Sequence, residues 1–204
     1  STWREDICAR GMQGKYADAL LISALTGARP SELATGIDVW VEFDELLRKN
    51  ILCLHVIGVK VKASQGQPNR FVAYAEDDDH PLVAALVKRL STEPGKKLRV
   101  QIAKAGNFST EIQPLARSLW RNHDHAITAT CFRHQWSADV KSSADGDAAS
   151  RGLGHRSAKT RRHYGMAHQA HGGHALRPVR IEADLPVRTF RPNLYPGTPA
   201  LRFE

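Results

Sequence analysis

Residues 151–164 read Arg-Gly-Leu-Gly-His-Arg-Ser-Ala-Lys-Thr-Arg-Arg-His-Tyr, which places His155 nine positions before Tyr164 with four cationic side chains between them. The Leu-Gly pair before the histidine predicts a turn, and Ser157 is a candidate N-cap for a short helix that follows. The wider segment 148–181 contains seven Arg or Lys and no acidic residue. Such a segment is typical of a surface that contacts phosphate. By itself it also fits a half-buried core tyrosine beside a solvated basic face, so other parts of the chain must decide.

The composition favours one basic globular domain with an acidic partner. The chain has 204 residues, of which 42% are hydrophobic, and this is enough for one core. The net charge is +8 before the ten histidines are counted, and the isoelectric point is about 9.7. The simplest acidic partner is nucleic acid, although charge alone does not identify it.

The cysteines and the apolar runs predict a cytoplasmic protein. Cys8, Cys53 and Cys131 are odd in number and lack the spacing of a metal site, so they are expected to be reduced thiols. No apolar run has membrane-spanning length, and no signal-peptide pattern is present, so no membrane partner is expected. The sequence begins at Ser1 rather than at a methionine, and we expect a further segment upstream.

A helix–turn–helix pattern near the start of the chain holds one arginine in the turn. Apolar residues recur at helical spacing over residues 16–25, and Gly27 predicts the end of that helix. Pro30 is suited to the first position of the next helix, which puts Arg29 at or beside the N-cap. Glu32 then falls in the first turn, within reach of Arg29. An ordinary surface arginine is the alternative.

Three strands and a lysine-bearing loop follow. Segments 37–43, 51–58 and 70–74 have strand-like patterns, and the loop between the last two contains Gly and Pro. Lys60 and Lys62 lie two residues apart, so they share one face of a continued strand. Cations that protect a sheet edge are the alternative explanation.

The second half of the chain is expected to be mainly helical. Apolar periodicity predicts helices over 82–90, 109–122 and 128–141, separated by a loop over 91–108. Arg133 and His134 project from the third of these helices near its start. Asp147 is expected to cap another short helix.

Two polar clusters are weak candidates for metal binding. Residues 77–79 are three aspartates before His80 and Pro81, and helix capping explains them better than a metal does. His168, His171 and His174 recur every three residues, but they lack a fourth ligand for zinc. Beyond the second cluster, the proline-rich segment 175–204 is predicted to be an extended tail outside the domain.

Taken in order, these segments resemble the motifs of the tyrosine recombinase (phage integrase) family. Residues 26–33 (TGARPSEL) resemble its first arginine motif, and the loop 59–69 resembles its lysine hairpin. Phe-Arg-His at 132–134 resembles the second arginine motif. Leu-Gly-His at 153–155, nine residues before Tyr164, resembles the final histidine and nucleophile. One such motif alone would be weak evidence for this family, but all of the motifs in this order are a specific resemblance to it.

The resemblance implies a fold and its boundaries. The fold would be mainly α with a small three-stranded antiparallel β-sheet (α+β), formed by residues 1–174. Members of this family usually carry an N-terminal core-binding domain, which would be the piece absent upstream.

The resemblance also implies a chemical role for each motif. Tyr164 would attack a DNA phosphodiester and form a 3′-phosphotyrosyl bond, which conserves bond energy so that religation needs no ATP. Arg29 and Arg133 would bind the non-bridging oxygens, and His155 would hydrogen-bond one of them. Lys60 would protonate the leaving 5′-oxygen. Lys62 is the rival for that role, since hairpin register is not readable from sequence, and Glu32 would orient the first arginine.

The partners implied are double-stranded DNA and further copies of the chain, assembled as a tetramer on DNA. Neither a metal ion nor another cofactor is required, because the arginines supply the positive charge. The function implied is site-specific strand exchange for integration or excision of a mobile element. Further DNA contacts are expected from Lys62, Arg70, Arg156, Lys159, Thr160 and Arg161.

One residue departs from the family pattern. A histidine usually lies three residues before the second arginine and accepts the tyrosine proton, but Thr130 occupies that position here. A threonine is not a general base near neutral pH. Either this subgroup does without that base, or His134 or water substitutes, or catalysis is weak. A DNA-binding regulator with weakened catalysis is one alternative function, and a relaxing enzyme of the type IB topoisomerase kind, which shares the cleavage chemistry, is another.

Overall fold

The computed structural model describes residues 2–63, 65–122, 126–144, 146–170 and 174–188, without the side chain of Arg161. Within these ranges the chain forms an α+β domain with seven α-helices and one five-stranded antiparallel sheet. The helices are α1 (Trp3–Gly11), α2 (Ala17–Thr26), α3 (Pro30–Thr35), α4 (Pro81–Leu90), α5 (Ala105–Leu119), α6 (Ala129–Ser143) and α7 (Gly146–Gly152). The strands are β1 (Ile37–Asp44), β2 (Lys49–Ile57), β3 (Asn69–Ala75), β4 (Lys97–Val100) and β5 (Arg180–Ala183). Short 3₁₀ turns cover Pro94–Lys96, Thr160–His163 and Ala167–Gln169.

The sheet has more strands than the sequence pattern predicted. Its order is β4-β1-β2-β3-β5, and the three central strands are the three expected ones. The prediction of a three-stranded sheet is therefore wrong in number, because β4 and β5 add one strand at each edge. Each added strand has only four residues. Such a short segment is too brief to show a convincing alternation of apolar and polar residues.

The segment after residue 174 is part of the domain as far as it is described. Leu176 is fully buried, and its N–H donates to Asp139 Oδ2 at 3.2 Å. The Val179 N–H donates to the Ala73 carbonyl at 2.8 Å, immediately before β5 pairs with β3. The predicted extended tail is thus wrong for residues 175–188, and residues 189–204 lie outside the described part of the chain.

Most of the predicted helices are confirmed, with shifts at their ends. α2, α3, α4 and α6 begin within one residue of the predicted positions. α5 starts four residues earlier than expected, inside the segment predicted to be a loop. α1 occupies a segment without a clear apolar period, and its buried Arg4 pairs with Asp139 of α6 at 2.5 Å. A local sequence pattern does not predict this contact, because the two residues are 135 positions apart in the chain.

The core lies between the sheet and helices α1, α2, α4, α5 and α6. Residues 19–26 of α2 are all buried, so this helix is the centre of the core. A hydrogen-bond chain crosses it: Trp136 Nε1 donates to the Tyr74 hydroxyl at 3.1 Å, and that hydroxyl donates to the Leu25 carbonyl at 2.6 Å. The chain fixes α6 and β3 relative to the end of α2, just before the turn that carries Arg29.

The acidic segment before α4 is explained by capping. His80 is the N-cap, and its Nδ1 accepts from the Leu82 N–H at 3.2 Å. The Asp78 carboxylate accepts from the His80 N–H at 2.8 Å. The N-cap is therefore His80 itself and not an aspartate as predicted, and Asp78 supports that cap residue. The histidine triplet is not testable because His171 lies outside the described residues. No helix in the described ranges is both long enough and apolar enough to cross a bilayer.

Candidate active site

A cleft of about 460 Å³ lies where the start of α3, the lysine loop and the turn after α7 meet. It contains most of the residues that the sequence motifs predicted to act together. The predicted residues that line it are Arg29, Glu32, Lys60, Arg70, His155, Arg156, Thr160 and Tyr164.

Arg29 is the N-cap residue of α3, as the sequence predicted. Gly27 ends α2 in the left-handed conformation with φ of 60°, so the chain turns sharply before the arginine. The Arg29 N–H donates to Glu32 Oε2 at 2.7 Å, and its Nη1 donates to Glu32 Oε1 at 2.9 Å. The Arg29 side chain is 23% exposed, so it faces the cleft while Glu32 holds it.

Arg70 reaches the same carboxylate from β3. Its Nη1 and Nη2 donate to Glu32 Oε1 and Oε2 at 3.0 and 2.7 Å, which is a two-point pair with both side chains fully buried. Burial raises the pKa of Glu32, but the charges of Arg70, Arg133 and Arg29 outweigh it and lower the pKa to about 2. We expected Arg70 to contact DNA. Because it is buried against Glu32, its position instead supports the carboxylate that holds Arg29.

Arg133 lies near the start of α6 and is 3% exposed. Its Nη1 donates to the Gly27 carbonyl at 2.8 Å, and its Nη2 donates to the Leu153 carbonyl. Its guanidinium is thereby held between the turn before Arg29 and the turn before His155. A Cβ on Gly27 would lie 3.2 Å from the Arg133 Cα, so glycine permits this close approach as well as the positive φ.

His155 is a neutral imidazole with a defined proton position. Its Nε2 lies 3.1 Å from Arg133 Nη2, and an arginine only donates, so Nε2 accepts and the ring proton is on Nδ1. Burial, together with the charges of Arg133, Arg29 and Arg70, lowers the pKa of His155 to about 3. Nδ1 is buried and has no hydrogen-bond partner within the described part of the chain. The ring therefore offers one N–H to a group in the cleft.

Tyr164 follows the 3₁₀ turn Thr160–His163 and packs between two imidazoles. The ring centroids of His134 and His155 each lie 5.1 Å from its own, and the Arg133 Cζ lies 5.0 Å from it. Burial raises the pKa of Tyr164, but the positive charges of Arg133 and Arg29 outweigh burial and hold the phenol pKa below its ordinary value. The site thus makes the phenolate, which is the nucleophilic form, easier to form than in a free tyrosine.

α6 also holds the backbone that carries the phenol. Lys141 Nζ donates to the carbonyls of Tyr164 and Gly165 at 2.8 and 2.7 Å. A Cβ on Gly165 would lie 2.2 Å from the His134 carbonyl, so only a glycine fits against α6 at this point. The same helix therefore carries Arg133 and anchors the segment of Tyr164.

The two loop lysines differ in position. Lys60 lines the cleft, whereas Lys62 is exposed outside it and pairs with Gln65 through backbone hydrogen bonds of 2.8 and 3.1 Å. Gly66 has φ of 75°, and a Cβ there would lie 2.4 Å from the Lys60 carbonyl. The glycine therefore allows the loop to fold tightly enough to bring Lys60 to the cleft.

Some of the predicted residues do not line the cleft. Arg133 lies behind it, in contact with His155 and Tyr164, which do line it. Thr130 is exposed at the second position of α6, and Lys159 is exposed outside the lining. His134 lines a separate, mostly apolar cavity of about 540 Å³ beside Trp3 and Trp120. The prediction for Arg161 concerns a side chain outside the described residues.

Gln67 and Arg188 are among the cleft residues that the sequence analysis did not predict. Gln67 is 1% exposed, and it accepts from the Leu185 N–H at 2.9 Å and donates to the Leu185 carbonyl at 2.6 Å. Arg188 also lines the cleft. Gln67 lies in a polar loop and Arg188 in a proline-rich segment, so no local pattern distinguishes either from its neighbours.

Comparison with protein-family models, with curated proteins and with solved structures gave no match. The functional interpretation of this chain therefore rests on the geometry of the cleft.

Proposed function

We propose that this chain is the catalytic part of a site-specific DNA recombinase that cuts and rejoins double-stranded DNA through a 3′-phosphotyrosyl intermediate. The observation that carries the proposal is the convergence of Tyr164, Arg29, His155 and Lys60 in the lining of one cleft, with the buried Arg133 in contact with both Tyr164 and His155. These residues come from four separate segments of the chain. Their convergence places several cations close together, which favours an anionic ligand.

Binding of a phosphodiester would use donors that the protein itself leaves open. Arg29 is partly exposed, and the buried Nδ1 of His155, which lines the cleft, has no acceptor within the described residues. Guanidinium forks match the geometry of phosphate oxygens and remain charged near neutral pH. Fixed donors of this kind stabilise charge that develops in a transition state, by about 3 kcal/mol for one well-placed donor.

The reaction would begin with attack of the Tyr164 oxygen on phosphorus. The new bond joins the phenol oxygen to the 3′-phosphate, and the bond from phosphorus to the 5′-oxygen breaks. Lys60 would give its proton to that leaving oxygen, and religation would return it. Water would take the phenol proton, since the lowered pKa of Tyr164 reduces the need for the histidine that Thr130 replaces.

The test is covalent trapping with a pool of labelled DNA duplexes of randomised sequence, each carrying a nick near the expected cleavage position. The short fragment released by cleavage diffuses away and prevents religation. We expect a labelled adduct that resists denaturing gel electrophoresis, and we expect none with Tyr164→Phe. DNA binding by both proteins without an adduct from either would overturn the proposal and favour a regulator. Sequence-independent relaxation of supercoiled plasmid by a monomer would favour a topoisomerase instead.

A further inference from the structure

The segment 184–188, here named the C-terminal strap, runs beside the loop that carries Arg156. The Arg188 N–H donates to the Arg156 carbonyl at 2.9 Å, and the Ala158 N–H donates to the Arg188 carbonyl at 3.1 Å. These bonds form a parallel bridge between Arg188 and Ser157. The backbone of the strap is therefore tied to the same loop that follows His155.

Gln67 joins the strap to two other parts of the cleft. Its side chain bonds both the N–H and the carbonyl of Leu185, and its Nε2 also donates to the His155 carbonyl at 3.4 Å. Its own N–H donates to the Gly154 carbonyl at 3.1 Å. One buried amide thus connects the lysine loop, the His155 turn and the strap. Their relative positions are set by the same few hydrogen bonds.

The strap adds positive charge to a cleft that is already cationic. Arg188 lines the cleft together with Arg29, Lys60 and Arg156. The carboxylate of the cleft, Glu32, is already paired with two arginines. The Asp184 carboxylate of the strap accepts from Asn69 Nδ2 at 2.8 Å, at the strap's other end. The ligand that fits such a site is one that carries several phosphates in a row rather than a single phosphate group.

We propose that Arg188 binds a backbone phosphate of duplex DNA next to the phosphate attacked by Tyr164, so that the strap is part of the DNA-binding surface. This inference rests on the proposed function, because it takes DNA as the ligand of the cleft. The backbone of Arg188 makes two of the bonds that dock the strap. These backbone bonds do not require an arginine side chain, so Arg188→Gln and Arg188→Lys retain both groups that form them.

The experiment compares Arg188→Gln with Arg177→Gln, both in a Tyr164→Phe chain so that binding is measured without cleavage. Arg177 is an exposed arginine of the same C-terminal segment, but it lines a different cavity, beside His80 and His174. Both changes remove one positive charge. The measurement is the dissociation constant for a labelled mixed-sequence duplex at several salt concentrations.

Each phosphate that a protein neutralises contributes about 0.9 to the slope of log affinity against log salt. We expect Arg188→Gln to reduce the slope by about that amount, and Arg188→Lys and Arg177→Gln to keep it close to that of the parent. Equal slopes for Arg188→Gln and Arg177→Gln would overturn the inference even if the parent binds DNA and Tyr164 forms its adduct. A parent that binds no DNA would overturn both proposals.

Discussion

The floor and the rim of the cleft are built in different ways. The floor consists of Glu32, Arg70 and His155, with Arg133 behind His155. All four are less than a tenth exposed, and they form two hydrogen-bonded pairs, Glu32 with Arg70 and Arg133 with His155. The rim consists of Lys60 and the strap, which are exposed and held mainly by backbone bonds and by Gln67. Charges in the floor cannot be removed without leaving a buried partner behind. The exposed Lys60 charge on the rim can be removed with little effect on folding, so stability and activity can be tested separately.

Removal of the Glu32 charge should cause the largest loss of unfolding free energy. Glu32→Gln leaves Arg70 buried without a counter-charge, and breaking such a pair costs about 3–5 kcal/mol of unfolding free energy. The matched control is Glu111→Gln, which removes a carboxylate from an exposed pair with Lys15 and should cost less than about 1 kcal/mol. Urea unfolding measures both. Equal effects from the two variants would show that Glu32 is not a support of the floor.

Loss of a rim lysine should affect chemistry without affecting stability. Lys60→Ala is expected to slow adduct formation about 100-fold or more, since general acid catalysis is worth roughly that factor. Lys62→Ala should change the rate little, because Lys62 does not line the cleft. Single-turnover trapping with the nicked duplexes measures the rates, and thermal unfolding checks that both variants are folded. A larger loss for Lys62→Ala would assign the acid to that residue.

As the pH is lowered, the unfolding free energy should fall first because His155 becomes protonated, and at lower pH also because Glu32 does. Burial lowers the pKa of His155 from 6.5 to about 3, so the folded state binds fewer protons than the unfolded state. The stability it contributes is complete above pH 6.5 and falls as the pH drops toward 3. Glu32 adds its own loss only below pH 4.5, as the pH falls toward 2.

In the window from pH 6.5 to 4.5 the His155 effect should be about 2 kcal/mol. His155→Gln should flatten the pH dependence of unfolding free energy in that window, leaving a smaller slope from His134, whose pKa burial and Arg133 also lower. The exposed His168→Gln is the control and should leave the parent slope. If both variants keep the parent slope, His155 is not the group that titrates.

Prediction from sequence worked best where neighbouring residues determine the conformation. Gly27 and Pro30 are three residues apart, and they predicted the turn that makes Arg29 an N-cap. The central strands were predicted because segments of seven to nine residues show their pattern. The two edge strands were missed because four residues carry too little pattern, and because pairing with the rest of the sheet stabilises them.

The role of Arg70 shows a second limit of prediction from sequence, which is that a local pattern does not give the partner of a side chain. Its position in β3 was predicted, and its charge suggested contact with DNA. Whether a strand residue points to solvent or to the core depends on what covers each face of the sheet, and α3 brings Glu32 to this face. The partner is 38 residues away in the chain. No local pattern gives a pairing at that separation.

The sequence alone determined the order and local geometry of the arginine, lysine, histidine and tyrosine motifs, because turn and helix signals act over a few residues. The tertiary structure decided which charges are buried, that Lys60 rather than Lys62 lines the cleft, and that Arg188 joins it. These outcomes depend on hydrogen bonds and burial between segments far apart in the chain. Such contacts form only when distant segments of the chain are brought together in the folded core.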